Sequence, residues 1–141
     1  MKEMNENQKS SLSPKCITDE PYNLTFILPG LPKVTSNGPH GKWFAAAAER
    51  KRWVIKTGNM AIICGLPREP LKKARITLTR MSSFQPDYDN LVISFKPILD
   101  GLKRAGVIVD DRMDNIGRPE YLHEKTSPRK GQIRIHVEAI P

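Results

Sequence analysis

Four aspartates, arranged as two pairs separated along the chain, are the residues of this sequence best suited to chemistry. Asp87 and Asp89 alternate in the segment Asp-Tyr-Asp-Asn, whereas Asp110 and Asp111 are adjacent. Alternate residues of an extended segment point the same way, so we expect Asp87 and Asp89 to face one cation. Adjacent residues point to opposite sides, so only one of Asp110 and Asp111 is expected to join them. Carboxylate oxygens are ligands that Mg²⁺ prefers, and the pattern therefore favours a magnesium site.

The charge of the chain indicates what such a site would act on. Lysine and arginine total 23 against 15 aspartate and glutamate residues, a formal net charge of +8. Six of the acidic residues are aspartates between positions 87 and 114. A basic surface attracts phosphates, whereas a local aspartate cluster repels them unless a cation lies between. The pattern favours metal-assisted chemistry on a nucleic-acid backbone; the alternative is that these aspartates serve turns and helix caps.

Several classes of protein are excluded by composition. No apolar run approaches the roughly 18 residues that a transmembrane helix requires. The first residues lack the apolar middle of a secretory signal, and two cysteines, Cys16 and Cys64, cannot form a disulfide framework. We therefore expect a basic cytoplasmic protein with unpaired thiols.

The elements that must position the aspartates follow from hydrophobic periodicity. Residues 1–21 are polar, which predicts a flexible tail before one domain at residues 22–141. Strands are predicted at 22–28, 74–80, 115–124 (weakly) and 133–139, and helices at about 45–64 and at 95–104 with Ser94 as N-cap. This order predicts an α+β fold in which two helices pack on one mixed β-sheet. The second helix lies between Asp89 and Asp110, and we expect this return of the chain to bring the carboxylates to one place.

Three motifs follow one another in the centre of the chain. They are Asp87-Tyr88-Asp89-Asn90-Leu91, Lys96-Pro97-Ile98-Leu99-Asp100-Gly101-Leu102 and Ala105-Gly106-Val107-Ile108-Val109-Asp110-Asp111. Together they resemble the RusA family of Holliday-junction resolvases. The likeness extends over about residues 22–140, from a first strand ending at Leu28-Pro29 to a late hairpin with the basic turn Arg129-Lys130-Gly131.

This resemblance implies an activity and a set of site residues. The family consists of small homodimeric, magnesium-dependent endonucleases, common in prophages, that nick two strands of a four-way DNA junction symmetrically. The likeness implies that Asp87, Asp89 and Asp111 are catalytic and hold Mg²⁺ (or Mn²⁺), and that Lys96 is the catalytic lysine. It also implies a bacterial or phage-infected cytoplasm, no membrane partner and no small-molecule cofactor. The alternative is a non-catalytic junction- or DNA-binding protein that retains the fold.

Two positions depart from the family pattern. The family's lysine commonly stands four residues after the second aspartate, where this chain has Ile93. Lys96 stands seven residues after Asp89 but keeps the family's spacing of four to Asp100. An insertion of three residues is nearly one helical turn, so Lys96 is expected to keep about the same helix face. A basic residue often precedes the family's first aspartate, and here that position is Pro86.

Further residues are predicted to contact nucleic acid, namely Lys33, Asn37 and Lys42 in the loop after the first strand, and Arg112. Asp100 is expected to have a structural role, pairing with a basic residue on its own helix. Lys103 is two helical turns beyond Lys96, about 10 Å along the axis, and is expected to lie too far away to replace it.

Overall fold

The computed structural model describes residues 21–32 and 43–141. Nearly all of the predicted tail, together with Lys33, Asn37 and Lys42, lies outside the described residues, so those predictions remain untested. The elements of the described parts are β1 (Asn23–Pro29), α1 (Trp43–Cys64), β2 (Ala74–Ser82), α2 (Tyr88–Ala105), α3 (Met113–Ile116), β3 (Glu120–Lys125) and β4 (Gln132–Ala139). The four-residue helix α3 was not predicted and occupies the start of the weak strand expected at 115–124.

One mixed sheet of four strands, in the order β1-β4-β2-β3, carries the helices. β4 is antiparallel to both β1 and β2, whereas β3 is parallel to β2. This arrangement confirms the α+β prediction of a mixed sheet with helices packed on it. Because side chains alternate between the two faces of a strand, one row of residues paired across the four strands faces the core. This row consists of Phe26, Ile135, Leu78 and Tyr121. The first three are buried together with Phe95 of α2.

The predicted hairpin between the last two strands is wrong. β3 and β4 follow one another in sequence, but β2 lies between them in the sheet. The connection first passes the end of β2, where the Thr126 amide donates to the Ser82 carbonyl oxygen at 3.0 Å. It then reaches the end of β1, where the Gly30 amide donates to the Gly131 carbonyl oxygen at 3.0 Å. The basic turn therefore belongs to a connection across the sheet and not to a hairpin.

The second helix begins seven residues before the predicted start. Asp87 is the N-cap, with φ −61° and ψ 152°, and Ser94 lies buried inside the helix. The Ser94 hydroxyl donates to the Leu91 carbonyl oxygen at 2.8 Å, which satisfies it without a capping role. Gly106 ends the helix as predicted, with a positive φ of 93°. Asp89 is therefore a residue of the first helical turn, and the expectation that Asp87 and Asp89 alternate in an extended segment is wrong.

Helices α1 and α2 approach each other closely at Gly101. A Cβ atom there would lie 2.7 Å from the Val54 carbonyl oxygen and 2.7 Å from the Thr57 Cβ atom. We expect Gly101→Ala to lower the free energy of unfolding by about 1–3 kcal/mol, because the helices must separate to admit the methyl group. Denaturant unfolding measures this change. Gly58→Ala is the matched control, since its new Cβ would meet the Gly101 carbonyl oxygen at an ordinary 3.5 Å. Equal stability of the two variants would contradict the close approach.

Candidate active site

An ion pair between Lys96 and Asp111 is the centre of the candidate site. The Lys96 ammonium group donates hydrogen bonds to Asp111 Oδ2 and to Asp100 Oδ1, the latter at 3.0 Å. The side chain of Asp111 is 13% exposed, whereas that of Lys96 is 56% exposed. The chain thus brings together the lysine and one of the acids proposed from the motifs, although they stand 15 residues apart. Asp100 pairs with a basic residue of its own helix, as expected.

Backbone pairing after α2 fixes the position of Asp111. Val107 and Ile108 are buried in the core directly after the helix ends. The Leu71 amide donates to the Val107 carbonyl oxygen, and the Val109 amide donates to the Leu71 carbonyl oxygen, both at 2.9 Å. Because these bonds hold the returning segment beside Leu71, Asp110 and Asp111 follow close to α2, where Lys103 and Lys96 contact them.

The two adjacent aspartates have different surroundings. Asp111 faces Lys96, whereas Asp110 Oδ1 accepts a hydrogen bond from the Asp111 amide at 2.8 Å. Asp110 is also the more exposed of the two, at 34% against 13%. This geometry favours Asp111 as the functional carboxylate and Asp110 as a residue that orders the turn.

Lys103 also lies at this site, so the expectation that it is too distant is wrong. Its ammonium nitrogen is 3.5 Å from Asp110 Oδ1 and 3.6 Å from Asp111 Oδ1. Residues seven positions apart occupy the same face of a helix, and two long lysine side chains there can converge on one carboxylate between them. The axial separation of the Lys96 and Lys103 backbones was therefore the wrong criterion for deciding whether the Lys103 side chain reaches the site.

One face of α2 carries most of the charged residues of the site. A spacing of alternately four and three residues places five side chains along a single stripe of the helix. They are Asp89, Ile93, Lys96, Asp100 and Lys103. Ile93, at the position where the family's lysine commonly stands, is 44% exposed on this stripe. The three-residue insertion thus moves the lysine about one turn along the helix while keeping it on the same face.

The pKa of Asp111 is lowered from 3.8 to about 2, chiefly by the Lys96 hydrogen bond and against the opposing effect of partial burial. The hydrogen bond with Asp110 and the charges of Lys96 and Lys103 contribute to this lowering. The same contact raises the pKa of Lys96. Both members of the pair are therefore charged at neutral pH.

This depressed pKa predicts a pH dependence of stability. Because Asp111 has a lower pKa in the folded chain, its contribution is complete above the unfolded value of 3.8 and is lost as the pH falls towards about 2. We expect a loss of roughly 1–2 kcal/mol in the free energy of unfolding over that interval.

The measurement is the difference in unfolding free energy between the wild type and Asp111→Asn, from pH 7 to pH 2.5. Asp114→Asn, which removes an exposed carboxylate, is the control. A difference that does not shrink at low pH would contradict the pairing.

Tyr121 is a residue of the site that the sequence did not reveal. Its ring centroid lies 6.2 Å from that of Tyr88, edge to face, and 5.9 Å from that of Phe95. Burial raises the pKa of Tyr121, with a smaller contribution from Tyr88, and the charges of Lys96 and Asp111 also act on it. Tyr121 therefore packs against the N-terminal half of α2, within range of the charges of the ion pair. Only the pairing of β3 with β2 brings it there, so no local motif could have indicated it.

Asp87 and Asp89 lie at the N-terminal end of α2, and both are exposed. The Asp87 side chain makes no capping hydrogen bond. The partial positive charge of a helix N-terminus favours carboxylates at these positions. Among residues 21–32 and 43–141, no three His, Cys, Asp or Glu side chains are grouped closely enough to hold a metal ion. The structure thus joins Lys96 and Lys103 to Asp100, Asp110 and Asp111, and it does not join Asp87 and Asp89 to Asp111 as a cage.

Two arginines near the site have different roles. Arg112 is exposed beside Asp111 and pairs with Asp114 at 3.6 Å, so it remains accessible to a ligand. Arg80 is buried and donates to the Pro32 carbonyl oxygen at 3.0 Å and to Ser82 Oγ at 3.3 Å. Burial lowers the pKa of Arg80. Arg80 therefore anchors the chain at Pro32, the last described residue before Lys33.

A comparison of the chain with models of protein families and with curated proteins found no match. The likeness to the RusA family therefore rests on the three central motifs. Within the described parts of the chain, no helix has the length and apolar character needed to cross a membrane.

Proposed function

We propose that the protein is a magnesium-dependent, structure-selective DNA endonuclease that resolves four-way junctions by paired symmetric nicks. The observation that carries this proposal is the contact between Lys96 and Asp111. The motifs imply these two residues as the catalytic lysine and one of three acids, and they meet despite the insertion before Lys96. The proposed setting is the cytoplasm of a bacterial or phage-infected cell, where the enzyme would act in DNA recombination and repair.

The residues of the site fit the chemistry of phosphodiester hydrolysis. Negative charge develops on the attacking and leaving oxygens, and a fixed cation beside the phosphate stabilises it. Lys96 is more than half exposed, so its ammonium group can turn from Asp111 towards a bound phosphate. Asp111 carries the hard oxygen donors that Mg²⁺ prefers, and so do Asp87 and Asp89, although the structure does not group the three around one ion. When bound, the ion would supply a metal-activated water and neutralise charge on the phosphate.

Exposed basic residues support DNA as the substrate, and a homodimer would suit its symmetric cleavage. Arg50, Lys51 and Arg52 project from α1, and Arg112 lies next to Asp111. Contacts of this kind bind phosphates irrespective of sequence and weaken as salt rises. A homodimer would present two copies of the site, which is the simplest way to cut two strands symmetrically.

The test uses a synthetic four-way junction with each strand labelled in turn, beside duplex and flap substrates. We expect the protein to bind the junction in EDTA and to cut it only when Mg²⁺ or Mn²⁺ is added. The nicks should lie at symmetric positions in two opposing strands. Binding without cleavage in either metal would overturn the proposal and support a non-catalytic junction-binding protein instead.

A further inference from the structure

The carboxylate of Asp111 lies between two ammonium groups, only one of which the proposed mechanism uses. Lys96 contacts its Oδ2 atom, and Lys103 lies 3.6 Å from its Oδ1 atom. Lys103 is also 3.5 Å from Asp110 Oδ1, and Lys96 is 3.0 Å from Asp100 Oδ1. Three carboxylates and two ammonium groups thus form one network with a net charge of −1.

A bound phosphate would compete with Asp111 for the Lys96 ammonium group. That group has three protons, and Asp100 and Asp111 already accept from two of them. When Lys96 turns to a phosphate, Asp111 loses its nearest cation. Unless a bound Mg²⁺ or a second ammonium group offsets its charge, the Asp111 carboxylate would then repel the phosphate that Lys96 contacts.

We propose that Lys103 is a positioning residue, which holds Asp110 and Asp111 in place and so releases Lys96 for the phosphate. This inference rests on the proposed nuclease function. Lys103 suits the role because it contacts both members of the aspartate pair, across the turn that the Asp111 amide and Asp110 Oδ1 close at 2.8 Å. It reaches them from the same face of α2 as Lys96, but from two helical turns further along.

Arg104 provides a matched control for Lys103. It is the next residue of α2, it is exposed, and it forms no ion pair with any described residue. Arg104→Ala therefore removes one positive charge from almost the same place and leaves every ion pair of the network intact. Lys103→Arg keeps the charge, and Lys103→Gln keeps most of the length without it.

The first measurement is single-turnover cleavage of the four-way junction at saturating DNA, with junction affinity measured separately in EDTA. We expect Lys103→Ala and Lys103→Gln to cut about tenfold more slowly than wild type, because Asp111 is held less firmly. Lys103→Arg should restore most of the rate, and Arg104→Ala should cut normally. Junction affinity should be the same for Lys103→Ala and Arg104→Ala. Equal cleavage rates for these two variants, with an active wild type, would overturn the role of Lys103 and leave the nuclease proposal standing.

The second measurement does not depend on activity. Amide hydrogen exchange at Asp111 reports on the hydrogen bond to Asp110 Oδ1 that Lys103 is inferred to support. We expect this exchange to be several-fold faster in Lys103→Ala than in Arg104→Ala. If the wild type cuts no branched DNA, the nuclease proposal fails, and this exchange rate then decides alone whether Lys103 orders the aspartate turn. Unchanged exchange would overturn that role.

Discussion

Lys96→Ala is expected to lower the single-turnover rate of junction cleavage by about two to three orders of magnitude. The reason is electrostatic, since the ammonium group is the cation that the network can present to the charge developing on the phosphate. Junction binding in EDTA should weaken only slightly, because Lys96 is one of many phosphate contacts. The measurement compares cleavage and binding by the same preparations of variant and wild type.

Two controls make this result interpretable. Arg104→Ala removes a charge from the same helix outside the network and should cut at the wild-type rate. The unfolding free energy of Lys96→Ala must also be measured, because the substitution leaves Asp100 and Asp111 without their shared partner. A folded Lys96→Ala variant that cuts normally would mean that the three-residue insertion has removed this lysine from the chemistry, whatever the carboxylates do.

Asp111→Asn is expected to abolish cleavage while leaving junction binding equal or tighter. The substitution keeps the shape of the side chain but removes a negative oxygen donor for Mg²⁺, and it reduces repulsion of the DNA phosphates. The same result is expected for Asp87→Asn and Asp89→Asn at the N-terminal end of α2. Cleavage with Mg²⁺ and binding in EDTA measure the two effects separately.

Asp114→Asn is the control for lost charge, because Asp114 is exposed and pairs only with Arg112 among the described residues. It should cut normally. Asp110→Asn tests the choice within the adjacent pair, since Asp110 bonds to the Asp111 amide and does not face Lys96. An inactive Asp110→Asn beside a fully active Asp111→Asn would reverse the assignment.

Local periodicity was sufficient to predict the strands that flank the core. Alternation over residues 22–28 and 133–139 predicted strands with one apolar face, and Phe26 and Ile135 on those faces are both buried. Alternation states which face of a strand is apolar, but it does not state which strand lies alongside. The hairpin prediction failed for that reason, because β2 pairs with β3 on one edge and with β4 on the other.

The start of α2 was predicted wrongly because a local signal competed with burial. Serine is a preferred N-cap residue and proline is tolerated in the first turn of a helix, and this favoured Ser94 as N-cap. The structure extends the helix back to Tyr88, which buries Leu91 and Phe95 on the same side as Ile98 and Leu102. Tertiary packing of this apolar face outweighs the capping preference of one residue.

The sequence predicted the site residues that stand in the three motifs. It did not predict the residues that only the tertiary fold brings close to them. Lys96 and Asp111 were both proposed from the sequence, and the structure brings them into contact. Lys103 was dismissed on axial distance, and Tyr121 had no signal because it comes from a separate strand. Only the return of the chain beside Leu71 and the pairing of β3 with β2 bring these residues to the ion pair.

The position of β4 between β1 and β2 also determines when the sheet can be completed. Asn23 pairs with Glu138, so the first described strand finds its neighbour near the far end of the chain. During synthesis β1 therefore emerges early and stays without this partner until β4 follows. Contacts between residues so distant in sequence form slowly, and unpaired strand edges are prone to associate with other chains in the meantime. Until β4 emerges, the edge of β1 is thus open to association with other chains.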